Sequence, residues 1–153
     1  MKTSHLLVLT LGLSLRAATG EALPSDITQC MRALGPGFAI DTYATPPYFR
    51  GRYFGGTKSG YAVAVQRNRL RGIMFCSGQR SPVVLGAGAA FHNMRNLNFT
   101  SWRIHPSSVP VERGVEEGIP PRLLGDALLL EWESASAIVY WSGRRFEWYQ
   151  QGD

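Results

Sequence analysis

Residues Ala127 to Tyr149 read ALLLEWESASAIVYWSGRRFEWY. Three apolar runs stand out, Ala127–Trp132, Ala137–Trp141 and Arg145–Tyr149, the last two rich in β-branched and aromatic residues. Glu133-Ser134 and Ser142-Gly143 separate them. Short apolar runs bounded by Ser and Gly read as strands, and Ser-Gly between two aromatic-rich runs is a hairpin signal. Consecutive strands with short connections pair as an antiparallel meander.

The same texture extends backwards. Tyr61–Gln66 reads as a strand, Arg67-Asn68-Arg69 as a turn and Gly72–Cys76 as the returning strand, with Val83–Leu85 a short third piece. Phe38–Tyr43 alternates apolar and polar residues, as a half-buried strand does, until Thr45-Pro46-Pro47 breaks it. Phe99–Ile104 is a further strand candidate. Beyond it Pro106, Pro110, Gly114, Gly118, Pro120 and Pro121, with Glu112, Glu116 and Glu117 between them, compose a surface loop. The period changes only at Leu23–Leu34, LPSDITQCMRAL. Ile27, Cys30, Met31 and Leu34 fall at i, i+3, i+4 and i+7, one helical stripe. Ser25 is the expected N-cap, Asp26 suits the first turn, and Gly35-Pro36 ends the helix. The expected class is α+β: an antiparallel β meander with one N-terminal helix packed on it.

The N-terminus carries a different message. Lys2 precedes Leu6–Leu15, LLVLTLGLSL, an uncharged run followed by Arg16 and the small residues Ala17 to Ala22. That is the composition of a secretory signal peptide, and the run is shorter than the ~20 residues of a membrane span. Residues 1–22 are therefore expected to be cleaved, leaving 23–153 as a single β-rich globular domain in the periplasm or secreted, without a transmembrane segment. Basic residues fall from 16 to 14 and acidic ones from 11 to 10 on that cleavage, so the mature side chains sum to +4. Thirteen of the fourteen are Arg, Lys58 being the exception. Arg forks suit phosphate and carboxylate; a GC-rich coding bias produces the same enrichment. Cys30 and Cys76 are an even pair in an exported chain, which suggests a disulfide, the alternative being two buried thiols.

Gly51 to Val63 reads GRYFGGTKSGYAV. It resembles the calcium-loop segment of FG-GAP/VCBS-type repeats, G-D-F-(D/N)-G-D-G-x-x-D-Y-A-V, with Gly51, Tyr53, Gly55, Tyr61, Ala62 and Val63 matching the frame. The chain also resembles small exported proteins that carry one such loop after a helix and end on a hairpin like Ala135–Asp153. The loop's acidic ligand positions fall here on Arg52, Phe54, Gly56 and Gly60. Calcium takes six to eight oxygens, several of them carboxylate. The resemblance thus implies a retained backbone turn whose metal ligands are lost, and one copy implies no propeller.

Catalytic signatures are absent from the sequence. It contains no Gly-x-Ser-x-Gly elbow, Walker loop or dinucleotide fingerprint. Gly86-Ala87-Gly88-Ala89-Ala90 lacks the Lys of a phosphate cradle and reads as a flexible turn. His92 and His105 stand at no metal-ligand spacing. Asp126, Glu131 and Glu133 lie close in sequence, the raw material of a carboxylate hydrolase with nothing fixing a pair. Asn98-Phe99-Thr100 is a glycosylation sequon, relevant only in a glycosylating host. No metal, cofactor or nucleic-acid partner is expected. The aromatic C-terminal strands carry the strongest signal. Alternation places Tyr140, Phe146 and Trp148 on one face and Trp141 and Tyr149 on the other, one face being core. Cross-strand aromatic pairing accounts for such strands without a ligand; a contact surface of Trp141, Arg144, Arg145, Trp148 and Tyr149 is the functional alternative. The expected function is a non-catalytic binding or interaction module for another protein or an anionic envelope component. A structural or accessory envelope protein and an unrecognised hydrolase are the alternatives.

Overall fold

Apolar residues on both sides of a strand need two partners to cover them, and the central strands here have both. The structure, a computed structural model, describes residues 22–114 and 118–152. The expected signal peptide (residues 1–21 of it) and Glu116 and Glu117 lie outside the described residues. Helix α1 spans Ser25–Leu34. Nine strands follow: β1 Phe38–Ile40, β2 Tyr48–Gly51, β3 Gly60–Arg67, β4 Leu70–Ser77, β5 Arg80–Gly86, β6 Ser101–His105, β7 Ala127–Glu131, β8 Ser136–Trp141 and β9 Phe146–Gly152. They form two antiparallel sheets, β1/β2-β3-β4-β5 and β6-β7-β8-β9, so the fold is α+β with meander connectivity and one N-terminal helix.

The first sheet is buried on both faces. Val63, Val65, Met74 and Cys76 meet α1 through Ile27 and Cys30. Ala62, Ala64, Ile73 and Phe75, the alternate positions, meet Leu128, Leu130, Val139 and Phe146 of the second sheet. The period of two along each strand assigns these faces. A disulfide between Cys30 and Cys76 joins the helix to β4. The outer face of the second sheet, Ala127, Ile138 and Tyr149, is covered by Val111 and Leu123 from the proline-rich segment. That segment is held close: a Cβ on Gly114 would sit 2.2 Å from the Gln150 carbonyl oxygen.

Several details differ from the sequence reading. Pro24, not Ser25, occupies the N-cap, and no side chain caps the helix. The edge beside β3 is filled by two strands end to end: β1 pairs with Val65–Arg67 and β2 with Gly60–Val63. β2 was missed because Pro46-Pro47 interrupts the run and only four residues pair. Between them Asp41 is 1% exposed and ion-paired to Arg71, whose Nη1 donates to the Phe99 carbonyl at 3.1 Å. The Gly86–Ala90 stretch is a fixed turn rather than a flexible one: Ala87 is buried and its N–H donates to the Arg71 carbonyl at 2.9 Å.

Candidate functional site

The β8–β9 register pairs Trp141 with Phe146 and Val139 with Trp148. The turn from Ser142 to Arg145 holds an even number of residues, so paired side chains on this face are Trp141, Phe146 and Trp148, all directed at the inter-sheet layer. Tyr140 and Tyr149 share the opposite face with Ile138. The expected division of these aromatics is thereby corrected. Tyr149 is 5% exposed, its hydroxyl accepting the Gly114 N–H and donating to the Gly118 carbonyl, both at 3.1 Å. It is a core residue pinning the proline-rich segment, not a surface contact.

Trp148, on the edge strand β9, and Trp141, the last residue of β8 before the hairpin turn, remain half-buried. Around Trp148 the structure assembles partners distant in sequence. The His92 imidazole stacks on its indole at 5.1 Å between centroids with an interplanar angle of 10°. Trp132 lies 5.4 Å and Phe91 6.2 Å from it. His92 reaches this position from a two-residue turn: Phe91 and Met94 exchange backbone hydrogen bonds at 2.8 and 2.9 Å, and His92 and Asn93 take φ of 47° and 64°. Left-handed backbone is uncommon for residues other than glycine, with Asn and His among the more tolerant types. Arg145 borders the same cleft, of about 360 Å³, with His92, Phe146 and Trp148. Its ion pair to Glu147, at 3.2 Å, joins an exposed side chain to a half-buried one, a contact weak enough to yield to a ligand. Arg144 is exposed and makes no ion pair or hydrogen bond among the described residues.

Trp141 belongs to a second cluster. Phe54, from the loop between β2 and β3, packs edge-on against Trp141 at 5.2 Å and Phe146 at 5.4 Å. Arg80 lies 4.7 Å over the Phe54 ring and 5.1 Å over Trp141. Sequence reasoning found neither Arg80 nor His92 as a site residue; the positive-φ turn at His92-Asn93 has only the left-handed tolerance of His and Asn as its sequence signal.

The acidic residues are engaged elsewhere. Asp126 accepts the backbone N–H of Arg52 at 2.9 Å and of Ser107 at 3.0 Å. Burial raises its pKa, but these hydrogen bonds and the Arg52 charge outweigh that and hold the carboxyl below its ordinary value. Its charge and, first, burial push the Tyr53 phenol well above its usual range. Glu131 and Glu133 both line a shallow cleft of about 270 Å³. Glu131 there pairs with Arg103 at 3.0 and 3.1 Å and accepts the Ser101 hydroxyl at 2.6 Å, so it is committed as an ion pair. His105 contacts the Val109 carbonyl at 3.0 Å, away from both clefts. Among the described residues no three His, Cys, Asp or Glu side chains converge on a metal-sized site, and no helix is long and apolar enough to cross a membrane. No protein-family model, curated protein or solved structure matches the chain.

Proposed function

We propose that this chain is an exported, non-catalytic binding module, acting in the periplasm or outside the cell on another protein or an anionic envelope component. Its contact surface is centred on Trp148, with His92 and Trp132 against it and Arg144 and Arg145 beside it. The observation that carries the reading is the His92 stack. A core needs no imidazole held at the surface on left-handed backbone, and strained backbone clusters at functional sites. Half-buried Trp flanked by Arg is the composition of binding hot spots. The disulfide supports an oxidising compartment. Tyr149 is not part of the surface.

Capture from the native compartment by the purified mature protein tests this, with two variants that leave the core untouched. His92→Gly removes the imidazole and relieves the positive φ, so its melting temperature should equal or exceed the wild type. Arg144→Glu with Arg145→Glu reverses the flanking charge. Both are expected to lose at least about 1 kcal/mol of binding, roughly fivefold in affinity, as changes at hot-spot residues do. Variants that retain the whole captured set at wild-type affinity would overturn the reading.

A further inference from the structure

An open surface cleft of about 390 Å³ lies between the loop residues Phe54, Gly55, Gly56, Thr57 and Lys58 and the turn residues Ser77, Gln79 and Arg80. Its lining includes Lys58 and Arg80 and no acidic residue. Neither cation has a carboxylate partner among the described residues, whose ion pairs are Arg71–Asp41, Arg103–Glu131 and Arg145–Glu147. The acidic side chain nearest the turn is Asp26, 3.8 Å from where a Gly78 Cβ would stand, and it does not line the cleft. Lys58 Nζ is fixed across the opening by donating to Gln79 Oε1 at 2.6 Å, which leaves two of its three donors to be satisfied.

Arg80 is placed by cation–π contact. Its Cζ lies 4.7 Å from the centre of the Phe54 ring and 5.1 Å from that of Trp141, and its guanidinium N–H groups make no hydrogen bond among the described residues. The planar Arg fork is pre-organised, so little freedom is lost per hydrogen bond formed to an oxyanion. The exposed glycine-rich loop that lines the cleft carries further unengaged donors. Gly55 and Gly56 take φ of 74° and 69°, and the backbone N–H groups of Gly56, Thr57 and Lys58 have no acceptor among the described residues. Successive backbone N–H groups in such turns form anion-binding concavities.

We propose that this cleft binds a tetrahedral oxyanion, a phosphate or sulfate group, between the Arg80 fork, Lys58 Nζ and the Gly56–Lys58 backbone. Donors arriving from two side chains and the main chain match a group with three or more acceptor oxygens better than a planar carboxylate. The site stands on residues separate from the Trp148 surface and does not depend on it. The same loop resembles one that holds calcium in other proteins; here its charge has the opposite sign.

Titration of the mature protein with inorganic phosphate, and separately sulfate, against chloride of equal ionic strength, followed by amide chemical shifts, tests it. Saturable shifts confined to Gly56–Lys58 and Gln79–Arg80 are expected. Arg80→Gln and Lys58→Gln should each weaken binding by about tenfold or more, the loss expected for a charged hydrogen bond, with the melting temperature retained. Titrating a phosphomonoester sugar in parallel separates a free-ion site from one that reads an attached phosphate: tighter binding of the ester assigns the ligand as a phosphorylated glycan, equal binding as the free ion. Excess calcium should leave these amides and the melting temperature unchanged. Shifts that follow ionic strength alone, that survive Arg80→Gln, or that calcium reproduces would overturn the proposal. His92→Gly should leave phosphate binding intact, so the two readings fail separately.

Discussion

Asp126 shows how much one carboxylate organises. Its two oxygens take the N–H groups of Arg52 and Ser107, residues 74 and 19 positions away, and so anchor the β2–β3 loop and the start of the proline-rich segment to one point. The approach is close: a Cβ on neighbouring Gly125 would stand 2.1 Å from the Arg52 carbonyl oxygen, so only glycine fits there. Asp126→Ala should cost about 2–3 kcal/mol at neutral pH, as lost hydrogen bonds to a charged group do. The folded-state pKa lies below the ordinary value of 3.8. The carboxylate therefore contributes its stability fully above that ordinary value, and the contribution is lost as pH falls through the lowered folded value. Thermal melts of wild type and variant should differ most near pH 7 and converge progressively below about pH 4. A gap independent of pH would show that the charge is not what stabilises the loop. In the sequence Asp126 read only as an acid at the start of a strand, because neither partner lies within reach along the chain.

At the scale of elements, α1 is the part most dependent on a covalent tie. It has no side-chain cap, and only Ile27 and Cys30 are fully buried on it. The Cys30–Cys76 bond closes a separation of 46 residues, and constraining the unfolded chain over such a loop stabilises the fold by about 4 kcal/mol on loop-entropy grounds. Cys30→Ser paired with Cys76→Ser should lower the midpoint of denaturant unfolding by that amount divided by the m-value. A midpoint within error of the wild type would mean the sheets alone hold the helix. The helix and its end at Leu34 were legible, because a 3.6 period followed by Gly-Pro has one interpretation, while its start lies one residue earlier than the expected Ser25 cap implies. The pairing of the cysteines was open until Cys30 and Cys76 were seen on facing surfaces, with Cα atoms 6.1 Å apart.

For the whole molecule, the two sheets meet through aromatic rings. Phe75 of β4 and Phe146 of β9 stack at 3.8 Å with 15° between planes, and Tyr53 packs edge-on against Phe75 at 5.3 Å. Phe146 is 5% exposed. Phe146→Ala should cost about 3–5 kcal/mol, the transfer energy of the ring plus the cavity it leaves. It should also loosen Phe54, and through it the Arg80 contact, which the phosphate titration would register as weaker binding. A loss below about 1 kcal/mol in chemical denaturation would indicate that the sheets repack without the ring.

The sequence by itself determined the helix and every strand but β2, that consecutive strands pair antiparallel, and that the C-terminal strands are aromatic on both faces, since periodicity and turn residues are local properties. It left open that the strands divide into two sheets stacked face to face. That division depends on burial of both faces of β3 and β4, and an apolar run does not say what covers it. The parity of the β8–β9 turn decided that Trp141 joins Phe146 and Trp148 while Tyr149 turns to the opposite face, and a shift of one residue in register reverses every such assignment. Only the tertiary structure brought His92 onto Trp148 and Arg80 onto Trp141, because stacking contacts between residues dozens of positions apart are set by how the sheets pack, and no spacing along the chain encodes them.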